Sequence, residues 1–176
     1  MLEDLPVLIK KWLELVPEFL EKFNIESEAC RRLMLDGLDF IKSYADKFHH
    51  AKEEDILFDY TDKNLDIIKT IFQDHETARG KVKAMSEALK NRDRKAIVEN
   101  LSAYRDILTE HIKKEDEILY PWIDRGLSMR QVGELFARFN EADGRMNKEV
   151  LDRCEKFALE VGERVQKMET KKEESK

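Results

Sequence analysis

HHAKEEDILF, residues 49–58, returns 62 positions later as HIKKEDEILY, residues 111–120. Laid one on the other without a gap, the two decapeptides share His, Lys, Glu, Ile and Leu at the same offsets. They also match acid with acid twice and end Phe against Tyr. The alignment pairs His49 with His111 and Glu53 with Glu115. Pairing His50 with His111 instead would put the ILF and ILY endings out of step, so His50 is the extra residue. A His and a Glu four positions apart lie one above the other on a helix face, close enough to bind one ion.

Working outward from these two copies, apolar spacing marks five helices. The first covers about Leu2 to Phe23, with Ile9, Trp12, Val16, Phe19 and Phe23 on one face and Pro17 marking a kink or break. The second runs from Ser27 to about Phe58, its stripe being Met34, Leu38, Ile41, Ala45, His49, Glu53 and Ile56. The third spans about Asn64 to Leu89 and aligns Ile68, Ile71, His75, Ala78, Val82, Met85 and Leu89. Asn91-Arg92-Asp93 stops it and caps a fourth helix that reaches about Tyr120. Leu101, Tyr104, Leu108, His111, Glu115, Ile118 and Trp122 form its stripe. Ser128 to Gln131 has the capping-box pattern that opens a fifth helix, about 128–165. Residues 1–167 are expected as one helical domain, and the charged tail 168–176, METKKEESK, as disordered.

Composition agrees with this pattern. The 176 residues are 41% hydrophobic and 40% charged, with only six Gly and three Pro, which suits long amphipathic helices rather than a sheet. The expected fold is all-α: an up-down-up-down four-helix bundle with an additional C-terminal helix. In such a bundle the second and fourth helices run parallel and set their His-x-x-x-Glu units side by side at one depth.

A formal charge of −6 gives no basic footprint for nucleic acid. No apolar run is long enough for a membrane span and no signal-peptide pattern opens the chain, so a soluble protein is expected. Cys30 and Cys154 are isolated, without CxxC spacing, which fits a reducing cytoplasm. Oligomeric state has no sequence signature here.

Charged residues are almost never buried unpaired, so Glu53 and Glu115 on inward stripes call for a cation between them. Lys52 and Lys114 each precede their Glu by one residue and point about 100° away, toward the surface. Glu54, Asp55, Asp116 and Glu117 read as a solvated acidic face. Arg79, one turn after His75, either leans over the site or sits on the surface. Imidazole with carboxylate and no thiolate suits iron, manganese or zinc. His75 taken by itself is more often a core histidine with a satisfied hydrogen bond than a ligand.

With DKFHHAKEEDILF, DHETAR and EHIKKEDEILYPW in order, most of residues 1–160 resembles the hemerythrin-like family, the HHE cation-binding domains. The resemblance implies metal ligation by His49, Glu53, His75, His111 and Glu115, with the two glutamates as bridges between two non-haem iron ions. One ion, or zinc or manganese, is the alternative. Oxygen carriers of the family have a second histidine on the third helix where this chain has Arg79. The branch with HH in the second helix uses the second of the pair, which makes His50 a ligand as well. Those carriers take their fourth-helix carboxylate five residues after the His, here Asp116, whereas the internal repeat favours Glu115.

The family's first-helix histidine has no counterpart: the equivalent place falls near Leu13, and its inward neighbours Trp12 and Val16 cannot ligate. A ligand-poor metal or a single ion is the consequence. The expected function is binding or sensing of O2, peroxide or NO, with Tyr44 and Tyr104 as hydrogen-bond donors or ordinary core residues. A metal- and small-molecule-binding protein is favoured over a dedicated enzyme. Alternatives are a di-iron enzyme, either a peroxidase or one for iron–sulfur cluster repair under NO stress, and a metal-free interaction module. In the latter, Met129, Phe136 and Phe139 would face a partner rather than the bundle's open side.

Overall fold

The computed structural model describes residues 7–168, and these form six helices and no strand. Helix α1, Val7–Lys22, continues through Pro17 without a break. The missing N–H of Pro17 leaves the Leu13 carbonyl without its helical donor. Arg105 Nε, from a neighbouring helix, donates to that oxygen at 3.3 Å.

Helix α2 begins at Glu28, capped by the Ser27 side chain on the Cys30 N–H, and has three parts. Glu28–Phe40 is α-helical, Ile41–His50 is wound as a π-helix, and Ala51–Asp55 returns to α. Leu57–Tyr60 then forms a short 3₁₀ turn. Helix α3 is Asp66–Lys90. A tight turn with Arg92 at φ 54° leads to Asp93, whose carboxylate accepts from the Ala96 N–H and starts α4 at Arg94. Helix α4 is α-helical over Arg94–Lys114, π-wound over Glu115–Leu119, and α-helical again over Tyr120–Gly126.

The all-α bundle is as the stripes predict, and its C-terminal addition is where the pattern needs correcting. The region 128–165 is two helices: α5, Met129–Arg145, opened by the Ser128/Gln131 capping box, and α6, Lys148–Gln166. Asn147 divides them, because its side chain caps the Glu149 N–H and its own backbone is extended. Helix α6 packs along both α1 and α2. Phe157 of α6 meets Trp12 edge-on at 5.5 Å and Phe40 at 5.2 Å between ring centroids. At Gly37 a Cβ would sit 3.1 Å from Trp12 Cζ2, so glycine allows α1 and α2 to approach there. Residues 2–6, expected in the first helix, and 169–176 of the expected tail lie outside the described residues.

The π-wound segments explain a second departure. An extra residue in a turn rotates everything beyond it about the helix axis. Past Glu115 the stripe therefore moves to Leu119, Tyr120 and Ile123, all buried, while Ile118 and Trp122, expected to point inward, are 54% and 45% exposed.

Two apolar clusters result. The larger joins α1, the first half of α2, the distal half of α3, the first segment of α4, and α6. The smaller joins Ile56, Leu57, Phe58, Ile68, Ile71, Leu119, Tyr120 and Ile123 with Leu135 and Phe139 of α5. Phe139 thus packs over the open side, while Met129 and Phe136 stay exposed. Between the clusters lies one polar layer. No helix among the described residues is long and apolar enough to cross a membrane.

Candidate metal centre

Six side chains make up that layer: His49, His50, Glu53, His75, His111 and Glu115 are all buried. Both adjacent histidines are buried at the end of the π-wound part of α2, although two successive residues of an α-helix differ by about 100°. Glu53 follows at the start of the third segment, α3 contributes His75, and α4 contributes His111 and Glu115 at the entry to its own π-wound stretch.

Glu53 and Glu115 both have 0% exposure. His75 Nε2 is 3.4 Å from Glu53 Oε2 and 3.2 Å from His111 Nε2. His111 Nε2 is in turn 2.8 Å from Glu115 Oε1, in an orientation that makes no hydrogen bond. Glu53, His75, His111 and Glu115 each present one donor atom within 4.8 Å of the others, and so do His50, His75 and His111. The two groups share His75 and His111. His50 stacks on His75 with ring centroids 3.9 Å apart. His49 lies beside this constellation, its Nε2 3.9 Å from Glu53 Oε2, and belongs to neither group.

The buried polar atoms left without partners fit a bound cation. Glu53 Oε2, both Glu115 oxygens and both nitrogens of His49 and of His50 have no hydrogen-bond partner. Native interiors rarely leave such atoms unmatched unless water or an ion completes them. Nitrogen and carboxylate donors without thiolate fit iron, manganese or zinc.

Without a metal the cluster shares protons among its own members. Burial, and then the charge of Glu53, pushes the Glu115 carboxyl up to about 8. Glu53 itself is held below the usual carboxylate range: burial raises it, but His49, His75 and His111 together outweigh that. Burial drops His49 to about 4 and His50 to about 3, so both imidazoles are neutral with lone pairs free to ligate. Burial also opposes protonation of His111, but Glu115 and Asp74 reverse the balance and push it up to about 10.

A ring of charged groups surrounds the layer. Glu54, expected on a solvated face, accepts from His75 Nδ1 at 2.6 Å and from Arg79 Nη2 at 2.8 Å. Arg79 also holds Asp46 at 2.7 Å, and Asp46 Oδ1 lies 3.7 Å from His50 Nδ1. Asp74 lies 3.4 Å from His111 Nδ1 and is anchored by Lys114 at 2.6 Å. Carboxylates at Nδ1 fix the ring orientation and leave Nε2 facing the centre, the usual arrangement behind a metal-binding histidine. These acids sit one residue off the inward stripes, where a helix faces its neighbour instead of the bundle axis.

Lys52 is also not at the surface. It is 4% exposed, its ammonium bonded to Asp143 at 2.8 Å and 3.9 Å above the Phe48 ring. The aromatic that reaches the site is neither Tyr44 nor Tyr104. Tyr44 stacks on Phe40, and the Tyr104 hydroxyl has no partner. Tyr120 instead donates to Glu53 Oε1 at 2.5 Å. The one signal for it was the Phe58/Tyr120 difference at the end of the repeat, where only one copy carries a hydroxyl.

Glu115 enters the cluster, whereas Asp116 pairs with Lys10 of α1 at 2.7 Å. Among the described residues of α1, the buried ones, Ile9, Trp12, Leu13, Val16 and Phe19, are all apolar, and none is a ligand.

A family model described as the hemerythrin HHE cation binding domain matches residues 10–123, from α1 to the end of α4. No curated protein and no solved structure matches the chain.

Proposed function

The chain belongs to the hemerythrin HHE cation-binding domain family, and from that premise we propose that it holds two non-haem iron ions and binds or senses O2, peroxide or NO. The observation that carries this reading is the pair Glu53 and Glu115, fully buried on parallel stretches of α2 and α4 and gathered with His75 and His111, with no Lys or Arg of the described residues paired to either carboxylate. His50, His75 and His111 would hold the ions together with the two glutamates, and His49 would join through its place beside Glu53.

An iron pair supplies one-electron steps toward a diatomic or peroxidic ligand; the protein supplies everything around it. Glu54 and Asp74 hold the protons on Nδ1 of His75 and His111. Tyr120 keeps a hydroxyl on Glu53 Oε1. The two apolar clusters exclude bulk water from the layer, and the absence of a ligating side chain among the described residues of α1 leaves the centre short of one imidazole, which suits an open position for a small ligand.

No organic substrate is needed for such a role, so binding or sensing is favoured over turnover. The buried free thiols of Cys30 and Cys154 support a reducing compartment such as the cytoplasm. Optical spectra of the iron-loaded protein, taken anaerobically and after adding O2, peroxide or NO, test the proposal. A new oxo-bridged ferric or nitrosyl band is the expected result, and spectra indifferent to all three would refute it.

A further inference from the structure

An open groove of about 390 Å³ lies between the π-wound part of α2 and the middle of α3, outside the Glu53/Glu115 cluster. Its size is in the range of small-molecule sites, roughly 300–1,000 Å³. Ile41, Ala78, Val82 and Tyr104 form an apolar floor, and the groove ends against His50. The Tyr104 hydroxyl is fully buried and unpartnered, as are both nitrogens of His50. A buried hydroxyl without a partner is costly, so an acceptor supplied by an occupant would relieve it.

The exposed edge has the opposite character. Arg79 is matched by Asp46, Glu54 and Glu76, and Glu87 by Lys90. Lys42 bonds only the Ser86 hydroxyl, at 2.9 Å, and Lys83 has no acidic partner among the described residues. Two lysines free of carboxylates border one groove on a chain whose formal charge is −6.

We propose that this groove binds a small aromatic carboxylate bearing an oxygen at the far end of its ring. The carboxylate pairs with Lys42 and Lys83, the ring covers Ile41, Ala78 and Val82, and the distal oxygen reaches Tyr104 beside His50. The volume suits about ten to fifteen non-hydrogen atoms.

The test is calorimetric titration of the full chain, both as purified and after chelation, so that binding is read without reference to the metal. Three probes separate the elements of the site: 4-hydroxyphenylacetate, phenylacetate, and 4-hydroxyphenethylamine. The hydroxy acid should bind in both preparations, phenylacetate about tenfold more weakly, and the amine not at all. Lys83→Glu, a surface change, should weaken the hydroxy acid at least fivefold. Tyr104→Phe should weaken it about tenfold while leaving phenylacetate unchanged, which a general loss of folding would not do. Equal binding of acid and amine, equal loss of both acids in Tyr104→Phe, or no heat from the hydroxy acid at millimolar concentration would overturn the proposal. Because the chelated protein is included, failure here is distinct from failure of the iron reading.

Discussion

The Tyr120 hydroxyl donates to Glu53 Oε1 at 2.5 Å, joining the last residue of one copy of the repeat to the central carboxylate of the other. Both are buried, so the bond has no water to replace it. Tyr120→Phe keeps the ring and removes only the donor. Metal affinity should fall by about tenfold, in the range seen when partners of a ligand are lost, and competition against a fluorescent chelator measures it. Unchanged affinity would show that the bond does not position Glu53.

Glu115 and Asp116 are neighbours with opposite surroundings, and substitution separates them. Glu115→Gln should remove most bound metal. It should also raise the melting temperature of the chelated protein, because it takes one of two crowded acids out of a dry cluster. Asp116→Asn breaks a half-exposed pair with Lys10 and should change metal content little and stability by less than about 1 kcal/mol. Metal analysis and thermal melts of both variants check this, and the reverse order of metal loss would place the ligand at Asp116.

Glu54 and Asp74 touch no metal in this account and act through the histidines they orient. Glu54→Gln and Asp74→Asn should each weaken metal binding by about tenfold to a hundredfold while stoichiometry at saturation stays the same. A titration that ends with fewer ions per chain would make either residue a ligand instead.

Lys52 is buried over Phe48 with its charge on Asp143, which is about half exposed. Lys52→Met keeps the packing and removes the charge, so stability should hold or rise. Asp143→Asn leaves the ammonium buried with a weaker partner and should cost about 1.5 kcal/mol. Urea unfolding of the two variants compares the signs; equal losses would mean that packing, not pairing, holds this corner.

Cys154 gives a pH signature remote from the metal layer. Burial, with a smaller contribution from Asp39, pushes its thiol up to about 11 from an ordinary 9. The unfolded chain therefore releases this proton first as pH rises. The contribution to stability is complete below about pH 9 and is lost between pH 9 and 11. Melting temperatures of the wild type should fall more steeply across that window than those of Cys154→Ala, and parallel slopes would contradict the assignment.

Helix existence and the inward stripe were legible because apolar spacing survives in single sequences, and the repeat located four of the six residues of the polar layer without any structure. What spacing could not supply was the change of winding. A stripe projected at 3.6 residues per turn placed Ile118 and Trp122 inside, and only the π-wound turn at Glu115–Leu119 moves Tyr120 and Ile123 there. The break at Asn147 escaped notice because an Asn inside a charged run resembles any surface position until its backbone is seen to be extended. Glu54 and Lys52 looked solvated for a related reason. Charge marks a residue as polar, but whether a neighbouring helix covers it depends on α3 and α5, whose contacts are not written in the local pattern.

The most direct measurement is anomalous scattering at the iron edge from crystals grown after anaerobic iron loading. Two peaks between Glu53 and Glu115, each with at least one of His50, His75 and His111 in contact, are the predicted result. Iron bound elsewhere, or glutamates turned to solvent with the layer filled by water, would contradict the account.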